Sequence, residues 1–140
     1  MKIFLSYSRT DWPFVRDLLH ELRRERLETW VDLSAVPAAT DWPSATLQAI
    51  QDCSCFIIVV SPYALHSVNV RKELDKALEA DKKIIPVLLQ DAELPEKLAS
   101  IQWVDFRVNF QSGLQRLLAS LHGGALRIED SEISLPSRGL

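Results

Sequence analysis

The run Cys55-Phe56-Ile57-Ile58-Val59-Val60 decides how this chain is read. Six apolar residues in a row, rich in β-branched side chains and bounded by Ser54 and by Ser61-Pro62, predict a strand buried on both faces. Such strands lie at the centre of parallel sheets, where helices cover both sides. The flanking sequence should therefore alternate between short apolar runs and helical patterns. Upstream, Ile3-Phe4-Leu5 stops abruptly at Ser6, and Thr29-Trp30-Val31 forms a second short strand. Between them, residues 11–26 carry Trp12, Val15, Leu18, Leu19 and Leu22 at spacings of three and four, with charges filling the other face. That is an amphipathic helix. Residues 43–52, with Leu47 and Ile50, predict a second helix, and residues 69–80, with Val70, Leu74, Ala77 and Leu78, a third.

Ile84-Ile85-Pro86-Val87-Leu88-Leu89 and Trp103-Val104-Asp105-Phe106 add two strands, and Leu114, Leu117, Leu118 and Leu121 mark a closing helix ended by Gly123-Gly124. Pro86 removes one ladder donor, which argues for a place near the sheet edge or for irregular pairing there. The tripeptide Asp-Trp-Pro occurs at 11–13 and again at 41–43, both times suiting the first turn of a helix. No two adjacent strands share a hairpin turn, so right-handed crossovers and an α/β fold follow: a flavodoxin-like, five-stranded parallel sheet of order 2-1-3-4-5, flanked by helices on both faces. From Ala125 the periodicity dissolves. Ala125-Leu126-Arg127-Ile128 could add a short strand, and residues 123–140 read as a C-terminal tail or linker.

Composition bounds the function. At 140 residues the chain is one domain, and 47% hydrophobic residues with only four Gly and seven Pro fit a globule rather than a disordered chain. Sixteen Lys and Arg against nineteen Asp and Glu leave a net charge of −3, so no basic footprint for nucleic acid is present. No apolar run is long enough to span a bilayer, and the opening Met1-Lys2-Ile3-Phe4-Leu5-Ser6 turns polar too soon for a signal peptide. The expectation is a cytoplasmic protein with neither nucleic acid nor membrane as partner. Cys53-Ser54-Cys55 lacks a second ligand pair, and His20, His66 and His122 are scattered, so no metal site is expected and the thiols read as buried structural groups.

Open parallel sheets bind ligands beyond the carboxyl ends of their strands, where the order reverses. After the first strand comes Ser6-Tyr7-Ser8-Arg9-Thr10-Asp11, with no glycine to let backbone amides approach a phosphate. A phosphoacceptor domain would need paired acids at that turn and an Asp ending the third strand, where Ser61 stands. Three common uses of this fold (dinucleotide binding, a phosphate loop, a phosphoacceptor) are thereby disfavoured.

Phe4-Leu5-Ser6-Tyr7-Ser8 resembles the opening box of Toll/interleukin receptor (TIR) domains. Further stretches agree in order and spacing: Trp30-Val31-Asp32, the step from Ile50 to Pro62, Ser67-Val68-Asn69-Val70-Arg71-Lys72-Glu73-Leu74, and Lys83-Ile84-Ile85-Pro86-Val87. The resemblance covers residues 1–122 and is closest to bacterial-type TIR domains. It implies a signalling domain that either cleaves NAD+ at the nicotinamide–ribose bond or scaffolds by self-association. In enzymatic members a Glu on the third helix is essential, and the matching position is Glu73. NAD+ would be the substrate, with no cofactor, and other TIR domains the partners. An NAD+ nucleosidase making ADP-ribose or a cyclised product in an immune or stress effector, active on self-assembly, is the leading expectation. The alternative is a non-catalytic adaptor acting through TIR–TIR contacts.

The chemistry fits a lone carboxylate. Glycoside hydrolysis ordinarily uses a second carboxyl to protonate the leaving oxygen, but the pyridinium of NAD+ leaves as neutral nicotinamide and needs no acid. One carboxylate that orients ribose hydroxyls and stabilises the oxocarbenium-like charge suffices. Helical geometry sets Glu73 roughly 60° from Val70, at the margin of the apolar stripe, facing a cleft at the sheet. The competing view is a solvated Glu in the early turns of a helix, with Lys76 at i+3. The same resemblance assigns substrate contacts to Ser8 and Arg9, to Asp32, to Trp42 and to Ser67. Each has a plainer alternative: a turn for Ser8 and Arg9, a cap for Asp32, a helix-start apolar residue for Trp42, an N-cap for Ser67. Trp12, Trp30 and Trp103 read as core or half-buried packing residues. Two departures favour the adaptor: Pro37 is followed by Ala38-Ala39 rather than glycine, in the loop used for self-association, and Asn69 stands where many enzymatic members carry Trp.

Overall fold

A computed structural model describes residues 1–31 and 44–122. Strand β1 (Lys2–Ser6) leads through a short 3-10 turn (Arg9–Asp11) into α1 (Trp12–Arg24), followed by β2 (Glu28–Val31). Then come α2 (Ser44–Asp52), β3 (Cys55–Val60), α3 (Pro62–Leu65), α4 (Val68–Glu79), β4 (Lys83–Leu88), α5 (Glu96–Ala99), β5 (Val104–Asp105) and α6 (Phe110–Leu121). All four strand pairings are parallel and the order is β2-β1-β3-β4-β5.

The central run behaves as its composition dictates. All six residues of β3 are buried, and alternate side chains feed two separate cores. Cys55, Ile57 and Val59 join Ile3, Leu5, Val15, Leu18, Leu114 and Leu117 under α1 and α6. Phe56, Ile58 and Val60 join Phe4, Ile50, Val70, Leu74 and Ala77 under α2 and α4. Two parallel stacks, Phe4 on Phe56 at 5.2 Å and Phe4 on Trp30 at 5.0 Å, run across β3, β1 and β2 on the second face. On the first face, α6 presses so close to the chain after β5 that a Cβ on Gly113 would lie 2.6 Å from the Phe106 ring, which accounts for glycine there.

Pro86 sits opposite Ile58 in the β3–β4 ladder, whereas β5 pairs with β4 only at Val87 and Leu88. Among the described residues the outer side of β4 at Pro86 therefore has no strand partner, in keeping with the edge-like position its missing N–H demands. Three expectations are corrected. Helices α3 and α5, four residues each, stand where no element was expected. Strand β5 is two residues long rather than four. Trp103 is not a packing residue: it is 39% exposed, with the Arg107 guanidinium 6.0 Å from its ring centre.

Candidate active site

The order reverses at β1. The chain leaves it for β2 on one side and later crosses to β3 on the other, so the carboxyl ends of β1 and β3 border the crevice in which this architecture binds ligands. Two side chains close those ends. Ser6 is the last residue of β1 and shares its face with Phe4, toward α4; Ser61 follows β3 in step with Ile57 and Val59, toward α1.

Ser6 Oγ donates to Glu73 Oε1 at 2.7 Å, a contact bridging 67 residues of sequence. Helix α4 starts at a good cap, the Ser67 hydroxyl accepting from Val70 N at 3.2 Å. From there the spacing of Val70, Leu74 and Ala77 seats the helix on the sheet. Glu73 falls on the flank of that stripe and is only 6% exposed, with Ser6 at 1%. Desolvating a carboxylate costs several kcal/mol unless donors replace water, and the Ser6 hydroxyl is one such donor. The solvated reading of Glu73 does not hold, and Lys76 Nζ instead reaches Glu79, at 3.5 Å.

A second serine–carboxylate pair lies on the opposite face. Ser61 Oγ donates to Asp11 Oδ2, and the same oxygen accepts from Ala64 N at 3.1 Å as the N-cap of α3. Asp11 occupies the N-cap position of α1, yet its side chain makes no capping bond there. Its carboxylate points instead to β3. Asp11 is 5% exposed, and burial pushes its carboxyl above the usual 3.8, partly offset by the Ser61 hydrogen bond.

The other assigned residues are distributed unevenly. Ser8 is half-buried and caps the 3-10 turn, its hydroxyl accepting from Thr10 N at 3.3 Å; Arg9, next to it, is exposed. Both lie in the turn that follows β1, within three residues of Ser6. Ser67 is the α4 cap. Asp32 and Trp42, the Pro37-Ala38-Ala39 stretch and the tail from residue 123 lie outside the described residues. Asn69 is half-buried, one helical turn before Glu73 on the same side of α4. Ser6, Ser61 and Asp11 were not singled out from sequence; the available signal was a serine ending each of two fully apolar strands, where the pattern calls for another aliphatic residue.

The other flank of α4 borders a groove of about 890 Å³ between α3, α4 and the loop before α5, lined by Leu65, Val70, Arg71, Leu74, Leu94 and Lys97 among others. Glu73 does not line it. Cys53 and Cys55 are free and buried, and burial pushes the Cys55 thiol up to about 11. Among the described residues no group of three His, Cys, Asp or Glu could hold a metal ion, and no helix is long and apolar enough to cross a membrane.

The family model for the TIR domain matches residues 3–118. Among solved structures, the TIR domain of the Toll-related receptor TRR-2 from Hydra magnipapillata is similar at a TM-score of 0.71 and 22% identity, covering 84% of this chain and 94% of that one. The TIR domains of the activated Roq1 resistosome, which directly recognises the pathogen effector XopQ, align at 0.67 and 20% identity over 86% and 98%. The CMP N-glycosidase BcmB of Clostridium botulinum aligns at 0.60 and 20% identity over 84% and 98%. No curated protein sequence gives a match.

Proposed function

The chain belongs to the TIR domain family, and on that premise we propose that it cleaves the nicotinamide–ribose bond of NAD+ with Glu73 as the catalytic carboxylate. The observation that carries this reading is the burial of Glu73 at the carboxyl end of β1, beside the point where strand order reverses. In the proposed reaction the bond from ribose C1′ to the pyridinium nitrogen breaks, and both electrons go to nitrogen. Nicotinamide leaves neutral. The Glu73 carboxylate stabilises the positive charge that grows on the ribosyl ring. Water then adds at C1′, its proton passing through Glu73 to solvent, to give ADP-ribose; capture by an adenine nitrogen of the same molecule gives the cyclic product. Ser8 and Arg9, following β1, are placed by this reading on the ribose and phosphates, and Asp32, Trp42 and Ser67 complete the proposed contacts. The TIR-like fold of a CMP N-glycosidase supports the reading, since that protein's name describes scission of the same kind of C–N bond.

Nicotinamide release from NAD+ at high protein concentration is the test. The parent should release it and Glu73→Ala should not. Equal rates for the two remove Glu73 from the chemistry, and no release from the assembled parent overturns the activity.

The adaptor alternative is favoured, among the described residues, by Asn69. Asn69, on the Glu73 side of α4, offers no ring on which a base could stack. Under that reading, light scattering and electron microscopy show TIR–TIR assemblies that form without nucleotide turnover.

A further inference from the structure

We propose that Ser6 is a positioning residue for Glu73, locking its carboxylate in one rotamer toward the crevice; the functional consequence rests on the NAD+-cleaving reading above. Three observations carry it. The donor stands on a constrained element: β1 is paired on both sides, to β2 through Leu5 and to β3, where Ser6 itself is in register with Ile58. Strand-borne groups hold a site more tightly than loop-borne ones. The hydroxyl is also out of place by pattern. Ile3, Phe4 and Leu5 are each 1% exposed and apolar, and Ser6, equally buried, breaks the run with a polar group aimed at the α4 face. Finally, the acceptor is a side chain with three rotatable bonds on a helix whose own placement is set elsewhere, by the Ser67 cap and the Val70, Leu74 and Ala77 contacts. Backbone packing brings Glu73 near the crevice, and the 2.7 Å bond from Ser6 selects where its oxygen sits.

The role separates from mere structural support because it predicts an effect on turnover and on rotamer, not only on folding. Ser6→Ala should lower kcat for nicotinamide release roughly 10- to 100-fold, the scale of a slightly misplaced reacting group, with KM nearly unchanged. Ser6→Thr, which keeps the hydroxyl, should recover most of the rate. In the double variant Ser6→Ala/Glu73→Ala, the serine change should cost nothing beyond the loss from Glu73→Ala, because the two act as a unit. Ser6→Cys, a poor donor of similar shape, replaces the alanine variant should that one fail to fold. Independently of activity, three-bond couplings of the Glu73 side chain by NMR should report one χ1 rotamer in the parent and averaging in Ser6→Ala. A single unchanged rotamer in Ser6→Ala, or full kcat in that variant while Glu73→Ala is dead, overturns the positioning role alone. A Glu73→Ala variant as active as the parent overturns the catalytic reading, while the couplings still decide whether Ser6 holds the carboxylate.

Discussion

Two serine–carboxylate pairs stand at the carboxyl edge of one sheet, on opposite faces, and they differ in what else the serine does. Ser61 is saturated by structure: it gives its proton to Asp11 and takes the Ala64 N–H, so one hydroxyl ties the start of α1 to the start of α3. Asp11, at the end of the 3-10 turn that follows β1, has been drawn from capping its own helix into that clasp. Ser6 caps nothing. It ends its strand and donates across the face to a carboxylate inside α4, at a place where α4 is already held by its own cap and its apolar contacts. Removing the Ser61–Asp11 link would loosen the joints of the fold, whereas the Ser6–Glu73 link is surplus to them. Buried polar pairs that a fold does not need for its own geometry are candidates for function, and the comparison supports the proposed choice of Glu73 over Asp11.

The largest expected effect would break the comparison outright. Glu73→Gln keeps the shape and an acceptor for Ser6 but loses the charge, and should lower nicotinamide release by about 10³-fold, or about 4 kcal/mol of transition-state stabilisation. Asp11→Asn, the same exchange on the other face, should leave turnover per folded molecule within about threefold, the range of a change remote from the reacting atoms. Initial rates at equal folded concentration check both. A deep loss in the Asp11 variant with none in the Glu73 variant would exchange the roles of the two pairs.

Stability should show the reverse order. Ser61→Ala removes the α3 cap and leaves a buried carboxylate without its donor, and should destabilise by about 2–4 kcal/mol in urea unfolding. Ser6→Ala takes a donor from Glu73 but removes no helix cap, and should cost less, about 1–2 kcal/mol. Equal losses would mean that both serines are structural joints and would blunt the distinction.

How much of this was legible beforehand follows from the range of each interaction. Strand β3 was readable residue for residue, because six apolar side chains in a row have few other uses, and α1 was readable from a periodicity sustained over three turns. Helices α3 and α5 were not, since four residues are too few to show a period. The Ser61-Pro62 pair did carry an N-cap and a proline at the first helical position, a local signal read only as the end of a strand. Glu73 could be placed on the margin of its helix from spacing alone, but its partner could not: which strand end lies under that margin is a property of sheet order, not of neighbouring sequence. Asp11 misled for the opposite reason. Its local context is that of a helix cap, and a long-range donor outcompeted the local amides.

The smallest effect gives the finest distinction, because it turns on the sign of a slope. Burial lifts the Asp11 carboxyl above 3.8 in the folded protein, with the Ser61 hydrogen bond opposing it, while the unfolded chain titrates near the ordinary value. Between those two values the folded state binds more protons than the unfolded one, so this group's contribution to stability falls as pH rises through the window and is flat above it. Asp11→Asn cannot titrate, though its amide oxygen still accepts from Ser61. The unfolding free energy of the parent minus that of Asp11→Asn should therefore decline from about pH 4 upward and then level off. Asp105 supplies the opposite case on the same edge of the sheet. The Arg107 hydrogen bonds hold its carboxyl below 3.8 against some burial, with bonds at 3.0 Å from Nε and from the second terminal nitrogen. Its contribution is present above 3.8 and is lost as pH falls through the lower folded value, so the same difference taken with Asp105→Asn should rise with pH, in a more acidic window. Urea unfolding across that pH range measures both slopes. Opposite signs mark Asp11 as a carboxylate held by burial and a neutral donor, whereas a rising slope for Asp11 would mean that it is held as an ion by a partner charge and that the clasp is electrostatic.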